Sequence, residues 1–281
     1  MRTIYYLITH KNEGQIKRLT NRLLSGSDSF VLIHHDYSKY EPLAFDNLAN
    51  VHVIDDYVPV KYGHISISKA MLRGIQWLED ENMDFDWLIM LSGQDYPVRP
   101  IHEIEATLGS TSFDAFVAHE QIYENRALHS RYFQNLCMQR YYYKRIKIPK
   151  LKAFFIKRRH PYREGLCCYA GSNWLNLSRR AVEFIWSRKT LIMQLIEYLE
   201  KASCPEETLF QTVLVNEPGL DIANDDKRYI VWQEDAEHPD VLCLDHLAEI
   251  RKSDAWFARK LDENTCPELL NKLDEILQGA I

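Results

Sequence analysis

Short apolar runs and stretches of helical spacing alternate along the first third of the chain. Four apolar runs have the length of buried strands: residues 3–8, 30–34, 51–54 and 88–91. Between them, apolar residues recur every three or four positions at residues 15–24 and 65–78, which is the spacing of an amphipathic helix. This β-α-β-β-α-β order predicts an α/β fold with a Rossmann-like, mostly parallel central sheet flanked by helices.

The rest of the chain has a less regular pattern. Helical spacing predicts helices at residues 178–201, 206–215 and 267–279. Short apolar runs predict strands at residues 229–232 and 241–244. Because the chain has neither an internal repeat nor a low-complexity linker, we expect a single domain over residues 1–281.

Composition argues against several classes of protein. With 46% hydrophobic residues the chain can build a full core, and its net charge of −6 argues against a nucleic-acid binder. No apolar stretch approaches the ~20 residues that cross a bilayer, and the N-terminal residues have the pattern of a first strand rather than of a signal peptide. The six cysteines form no Cys-x-x-Cys pair. We therefore expect a cytoplasmic protein whose cysteines are reduced thiols, without a zinc site or a disulfide.

Polar residues follow two predicted strands at their carboxyl ends, where open parallel sheets bind ligands. His35-Asp36 and Gln94-Asp95 occupy these places, so we expect both to face one crevice. Enzymes that use nucleotide-sugars often carry Asp-x-Asp there to hold a metal ion on the diphosphate, but Asp95 stands alone. The literal Asp84-Phe85-Asp86 precedes its strand and should lie at the wrong end of the sheet. No glycine-rich phosphate loop occurs, which argues against dehydrogenases and P-loop enzymes.

Two adjacent glutamates, in Pro205-Glu206-Glu207, have both a structural and a catalytic interpretation. Proline and acids are favoured in the first turn of a helix, and this is the commoner reason for such a pattern. A carboxylate held at a crevice could instead act as a general base on a sugar hydroxyl.

Aromatic and basic residues elsewhere are ambiguous in the same way. Trp174, in Gly171-Ser172-Asn173-Trp174, would usually be a core residue, but an indole face also stacks on a sugar ring. Arg259-Lys260 would usually lie on a solvated helix edge, yet two adjacent cations can bind a diphosphate. The segment from Arg228 to Trp232 has both kinds of interpretation.

Several motifs taken in order are more specific than any one of them. The chain resembles the core-2/I-branching β-1,6-N-acetylglucosaminyltransferases and the protein O-xylosyltransferases of glycosyltransferase family 14. The resemblance covers nearly the whole chain and rests on these motifs: His34-His35-Asp36, Lys61-Tyr62-Gly63-His64, Ser92-Gly93-Gln94-Asp95-Tyr96-Pro97, Gly171-Ser172-Asn173-Trp174, Pro205-Glu206-Glu207 and Phe257-Ala258-Arg259-Lys260. The third and the last of these motifs are the most specific.

This resemblance implies an inverting glycosyltransferase of GT-A type, with a nucleotide-binding part at about 1–120 and an acceptor-binding and catalytic part at about 121–281. The donor would be a UDP-sugar, with N-acetylglucosamine favoured over xylose. Branching enzymes of the family lack Asp-x-Asp and contact the diphosphate with basic side chains, so no metal cofactor is expected. The resemblance implies Glu207 as the general base and Lys260 on the diphosphate. It also implies Asp36 and Tyr62 near the nucleoside. We predict a donor site of Asp36, Tyr62, Gly63, Asp95, Arg259 and Lys260, and an acceptor site of Trp174, Glu206 and Trp232.

One feature of the branching enzymes is missing from this chain. They carry a second cation, an arginine, upstream of the lysine, where this chain reads Glu237-His238-Pro239-Asp240. Arg228, Arg251 or Arg259 could supply that charge. Two alternatives therefore stay open: a metal-dependent transferase in which Asp95 helps to hold Mn²⁺ or Mg²⁺, and a glycan-binding relative without catalysis.

A basic stretch at residues 140–163 carries ten Lys/Arg and no acid, with interleaved aromatic residues. Most such runs are solvated loops. The functional alternative is contact with an anionic partner at the inner face of a membrane. We therefore expect a UDP-sugar donor, a glycan or lipid-linked glycan acceptor used in polysaccharide biosynthesis, peripheral contact with an anionic membrane, and no nucleic-acid partner.

Overall fold

The computed structural model describes residues 1–38, 43–45, 48–125, 132–146, 154–163, 165–233, 236 and 238–279. The chain divides into two compact units. The first unit comprises Met1–Tyr57, Trp77–Ser112 and Asp226–Ile281, and the second comprises Val58–Gln76 and Phe113–Asp225. The single domain expected from the sequence stays a prediction.

The strands in chain order are β1 (Thr3–Thr9), β2 (Ser29–His35), β3 (Val51–Val53), β4 (Trp87–Ser92), β5 (Tyr96–Pro97), β6 (Ala115–Phe116), β7 (Glu120–Ile122), β8 (Tyr143–Ile146), β9 (Phe154–Lys157), β10 (Cys168–Ala170), β11 (Asn176–Ser178), β12 (Ile222–Ala223), β13 (Arg228–Ile230) and β14 (Phe257–Arg259). The helices are α1 (Glu13–Leu23), α2 (Ser66–Asp80), α3 (Ile101–Ser110), α4 (Tyr132–Tyr142), α5 (Arg179–Ser187), α6 (Lys189–Leu199), α7 (Leu209–Val215), α8 (Leu247–Lys252) and α9 (Pro267–Gln278). Short 3-10 helices occur at Pro205–Glu207 and Leu244–His246.

A parallel sheet lies at the centre of the first unit. Its strands are ordered β3-β2-β1-β4, and every neighbouring pair in this order runs parallel. The side chains of β1 and β2 are buried along nearly their whole length, as expected of strands covered on both faces. Helix α1 buries the apolar stripe formed by Ile16, Leu19 and Leu23. The predicted α/β fold class, with a mostly parallel central sheet flanked by helices, is confirmed.

The second unit contains shorter strands. β6 pairs antiparallel with β11 and parallel with β12, while β7–β10 and β8–β9 are antiparallel pairs. Helix α7 contacts both β10 and the 3-10 helix at Pro205–Glu207, so packing of α7 determines where the adjacent glutamates lie. Among the residues that the structure describes, no helix combines the length and the apolar character needed to cross a bilayer.

The helices and strands with strong periodicity form close to the predicted bounds, but three expectations need correction. The helix predicted at residues 178–201 is two helices, because Arg188 leaves helical geometry (φ −97°, ψ 22°). The helix predicted at residues 206–215 begins as a 3-10 helix, and Thr208 (φ −134°) separates that turn from α7. The strand predicted at residues 241–244 does not form: Leu242 N–H donates to Lys260 C=O (2.8 Å), but no ladder continues from it.

The expectation that every cysteine is a free thiol is wrong. Cys243 and Cys266 form a disulfide with their Cα atoms 5.3 Å apart, although 23 positions separate them in sequence. The hydrogen bond from Leu242 N–H to Lys260 C=O joins the chain segments that precede the two cysteines. No spacing motif in the sequence predicts this proximity. Disulfides persist mainly in oxidising compartments, and the cytoplasmic location stays a prediction. The other cysteines are free.

Candidate active site

The predicted site residues fall in both units, and each group has its own surroundings. In the second unit, a turn that we call the carboxylate turn comprises Cys204, Pro205, Glu206, Glu207 and Thr208. Its first residue has left-handed backbone angles (φ 51°, ψ 51°). The Cys204 N–H donates to Gly63 C=O (3.1 Å), and the Cys204 C=O accepts from Glu207 N–H (3.2 Å). These bonds hold Gly63, a predicted donor residue, directly beside the turn.

Glu207 carries an ion pair that the sequence did not predict. Its Oε2 accepts from Arg140 Nη1 at 2.9 Å, and the Glu207 side chain is 30% exposed. Burial raises the pKa of Glu207, and the Arg140 charge and hydrogen bond lower it. Arg140 was visible in the sequence only as the first member of the basic stretch. No local pattern linked it to a carboxylate 67 positions away.

Glu206 lies in a different environment although it is adjacent in sequence. It is 4% exposed, and its Oε2 finds no hydrogen-bond partner within the described part of the chain. Burial, and to a smaller extent the negative charge of Glu207, raises the pKa of Glu206 to about 7. The buried carboxyl presents almost no surface to an acceptor, and its predicted acceptor role stays a prediction.

The Gly171-Ser172-Asn173-Trp174 motif fixes the other side of the turn. Gly171 N–H donates to Glu207 C=O (2.8 Å), and a Cβ on Gly171 would lie 1.9 Å from Ala118 O. Only glycine therefore fits at this close approach. Trp174 is 9% exposed, so its indole packs as a core residue. Its stacking on a sugar ring stays a prediction.

Tyr62 is the most accessible predicted donor residue in the second unit, with 64% of its surface exposed. Partial burial, followed by the nearby Cys204 thiol and the two glutamates of the carboxylate turn, raises the pKa of its phenol. The hydroxyl therefore stays protonated at neutral pH and can donate a hydrogen bond. Tyr62 therefore lies near the carboxylate turn, and its predicted role near the nucleoside of the donor stays a prediction.

In the first unit, Asp36 and Asp95 follow the carboxyl ends of β2 and β4, as predicted. Asp36 N–H donates to Thr9 C=O (2.9 Å), and its Oδ1 accepts from Ser38 N–H (3.0 Å). The Asp84-Phe85-Asp86 motif precedes β4, and Asp86 N–H bonds Arg2 C=O (2.9 Å) at the start of β1. That motif therefore lies at the opposite end of the parallel strands, which confirms the prediction.

Asp95 is fully buried, and protein groups surround its carboxylate. Its Oδ2 accepts from Ser92 N–H (2.7 Å) and Ser92 Oγ (2.5 Å) and lies 3.5 Å from Arg259 Nη1, while its Oδ1 lies 4.0 Å from Arg228 Nε. Within the described ranges, no group of three or more His, Cys, Asp or Glu side chains is arranged to hold a metal ion. The visible role of Asp95 is to anchor Arg259.

Arg259 and Lys260 lie at the end of β14, beside further cations. Burial is the main cause that lowers the pKa of Lys260, and the charges of Arg259 and Lys11 add to it. Of the three arginines that could replace the family's second cation, Arg228 has no exposed side-chain surface and donates to Met90 C=O (3.0 Å). Arg259 keeps 13% of its side chain exposed and is adjacent to Lys260, whereas Arg251 lies near the end of α8.

The remaining predicted residues are only partly described. Trp232 is 55% exposed in the first unit and can present its ring to a ligand. In the basic stretch, residues 147–153 lie outside the described residues. At least three of its described cations have partners. Arg140 pairs with Glu207, Lys157 pairs with Glu124, and the Arg158 guanidinium lies 3.9 Å from the centre of the Tyr198 ring.

The chain is similar in sequence to a known protein family and to several characterised proteins. The family model described as Core-2/I-Branching enzyme matches residues 4–252. Beta-glucuronosyltransferase GlcAT14A of Arabidopsis thaliana is 27% identical over 86% of this chain and 54% of its own length. Beta-1,3-galactosyl-O-glycosyl-glycoprotein beta-1,6-N-acetylglucosaminyltransferase 4 of Mus musculus is 24% identical over 98% of this chain and 65% of its own length. Xylosyltransferase 2 of Rattus norvegicus is 25% identical over all of this chain and 34% of its own length.

The chain thus spans between a third and two thirds of the length of these relatives. One solved structure, a glycosyltransferase involved in the glycosylation of the major capsid of PBCV-1, aligns over 98% of both chains at 12% identity and a TM-score of 0.40. That score is too low to support any argument.

Proposed function

Because this chain belongs to the core-2/I-branching enzyme family, we propose that it is an inverting glycosyltransferase that moves a sugar from a UDP-sugar to a glycan hydroxyl. The observation that carries the proposal is the partly exposed Glu207 carboxylate, held at 2.9 Å by Arg140. A base for an acceptor hydroxyl must be ionised, accessible and fixed in place. The Glu207 side chain is 30% exposed, and its ion pair with Arg140 fixes the carboxylate and favours its ionised form.

The proposed reaction is a single displacement. Glu207 takes the proton of the acceptor hydroxyl while the hydroxyl oxygen attacks the anomeric carbon of the donor. The bond from that carbon to the β-phosphate oxygen breaks on the opposite face, so the configuration inverts and UDP leaves with the bonding electrons. Burial raises the pKa of Glu207 and so strengthens it as a base, while the charge and hydrogen bond of Arg140 favour its ionised form.

The leaving diphosphate develops negative charge, which fixed cations can stabilise as a metal ion would. Lys260 is the proposed cation in this chain, with Arg259 as the second. Arg259 is supported over Arg228 because the Arg228 side chain has no exposed surface. The alternative is a metal ion held with the help of Asp95. The complete burial of Asp95 and its two bonds to Ser92 favour the cation account.

N-acetylglucosamine is the favoured donor sugar and xylose the second. The relatives' names indicate an N-acetylglucosaminyltransferase, a xylosyltransferase and a glucuronosyltransferase, so a donor panel should contain all three UDP-sugars. The proposed acceptor is a glycan or a lipid-linked glycan. Radiolabel transfer and UDP release, measured with each donor, would identify the sugar.

Contact of the basic stretch with an anionic membrane is a further part of the proposal. Such binding should require anionic lipid and weaken as salt rises. Flotation with neutral and anionic liposomes tests it. Equal behaviour on both vesicle types would remove membrane contact from the proposal.

The decisive experiment for the function is Glu207→Gln, which keeps the shape of the side chain and removes its basicity. We expect kcat to fall by roughly 10²–10⁴-fold, while UDP binding measured by calorimetry is retained. Glu206→Gln, on the same turn, is the matched control. Near-normal turnover of Glu207→Gln together with an inactive Glu206→Gln would move the base to Glu206. A wild-type protein that releases UDP from no donor would favour the non-catalytic, glycan-binding alternative.

A further inference from the structure

Two consecutive residues of α4 hold the carboxylate turn by different atoms. Arg140 binds the Glu207 carboxylate, and the Tyr141 hydroxyl donates to the Cys204 C=O at 2.8 Å. The Tyr141 side chain is fully buried. Burial raises the pKa of its phenol well above the ordinary value, so the hydroxyl remains protonated and donates at every working pH.

The Cys204 carbonyl that receives this bond also receives the Glu207 N–H at 3.2 Å. One carbonyl oxygen therefore joins Tyr141 to the backbone of Glu207. Cys204 adopts φ 51°, a left-handed conformation that residues with a side chain seldom take. Such a conformation persists only where surrounding contacts over-determine it, and the Tyr141 bond is one of those contacts.

Tyr141 is itself anchored from the far side. The Tyr198 hydroxyl of α6 donates to the Tyr141 carbonyl, and the Arg158 guanidinium stacks on the Tyr198 ring. The backbone of Tyr141 therefore has little freedom to follow a displaced turn. The phenol therefore links α4 to the Cys204 carbonyl at a fixed position.

We propose that Tyr141 is a positioning residue that holds the carboxylate turn, and with it Glu207, in the geometry needed for proton transfer. This role rests on the proposed function of Glu207 as the base. When the hydroxyl is removed, the Cys204 carbonyl loses one of its two bonds and the turn relaxes toward commoner backbone angles. The Glu207 carboxylate then moves away from the position in which it meets the acceptor hydroxyl.

Tyr141→Phe tests the proposal, and Tyr142→Phe is its matched control. Tyr142 also lies on α4 and is buried, and its hydroxyl donates to Ile122 C=O at 2.9 Å, an acceptor outside the carboxylate turn. Both variants lose one buried hydroxyl-to-carbonyl bond, so their losses of thermal stability should be similar. We expect kcat of Tyr141→Phe to fall about 10- to 100-fold, with the donor KM and the UDP Kd unchanged, and Tyr142→Phe to keep near wild-type kcat.

The pH profile supplies a readout that a purely structural role would not move. Displacing Glu207 from Arg140 removes the charge that lowers its pKa, so the acid limb of kcat/KM should shift to higher pH in Tyr141→Phe only. The substitution removes only the Tyr141 hydroxyl. It leaves in place the other titratable groups around Glu207, which are Tyr62, Cys137, Arg140, Cys204 and Glu206.

Hydrogen exchange measured by mass spectrometry reports on the turn without any substrate. The peptide over residues 203–210 should exchange faster in Tyr141→Phe than in the wild type or in Tyr142→Phe. Equal kcat and equal exchange in the two variants would overturn the proposal, and faster exchange with unchanged kcat would overturn its catalytic part. Failure of this proposal can be distinguished from failure of the base assignment, because a wrong base assignment would show as an active Glu207→Gln variant.

Discussion

The guanidinium of Arg140 lies 2.9 Å from the carboxylate of Glu207, so a member of the basic stretch holds the candidate base. The pKa of Glu207 is raised by burial and lowered by Arg140. Removing the arginine removes only the lowering effect. The balance between these two effects decides over which pH range Glu207 can accept a proton.

Arg140→Met should therefore raise the pKa of Glu207 and move the acid limb of kcat/KM to higher pH. Because a base works only when deprotonated, activity should fall more at pH 6 than at pH 8. The measurement is a pH profile of UDP release with the best donor. Arg159→Met, which removes an exposed cation of the same stretch, should leave the limb in place. Equal profiles for both variants would mean that Arg140 does not set the basicity of Glu207.

Lys260→Ala should weaken UDP binding and slow transfer, because the proposed cation for the leaving diphosphate is lost. Wild-type activity should survive EDTA. Lys252→Ala removes a lysine that is 71% exposed on α8 and should have little effect. Calorimetric titration with UDP and initial rates with and without EDTA measure both points. Activity that disappears in EDTA and returns with Mn²⁺ would refute the cation account and restore the Asp95 metal alternative.

Gly171→Ala should disrupt the carboxylate turn, because the added Cβ would lie 1.9 Å from Ala118 O. Overpacking of this kind costs about 1–3 kcal/mol, and we expect a lower Tm and a large loss of kcat. Gly109→Ala is the control: its Cβ meets only Met1 Sδ at 3.5 Å, and it lies in α3, where alanine is favoured. A Gly171→Ala protein with wild-type Tm and activity would show that the close approach does not exist.

The Cys243–Cys266 disulfide closes a chain segment that contains Arg259 and Lys260. Cys243→Ser with Cys266→Ser should lower the free energy of unfolding by about 3 kcal/mol. Reductant should lower the Tm of the wild type and of Cys167→Ser, which alters a free cysteine, but not that of the double variant. An unchanged wild-type Tm in reductant would indicate that the two cysteines are free in solution.

The local pattern of the sequence by itself determined the regular part of the fold. Apolar residues that recur with period 3.6, or that form a short continuous run, can be recognised from neighbouring positions alone. For this reason α1, β2, α2 and β4 could be predicted within a few residues. The same pattern placed Asp36 and Asp95 after strands β2 and β4. Periodicity also continued across Arg188, where the helix breaks, because an apolar pattern does not encode a single change in backbone angles.

Tertiary structure decided the partners of the candidate residues. Arg140 and Glu207 are 67 positions apart, and Arg259 and Asp95 are 164 apart, so no local spacing could pair them. The same holds for the disulfide, whose cysteines are 23 positions apart and lie in segments joined by the hydrogen bond from Leu242 to Lys260. A carboxylate's pKa depends on burial and on neighbouring charges. The two adjacent glutamates therefore differ chemically only in the folded protein, where Glu206 is buried and Glu207 forms an ion pair with Arg140.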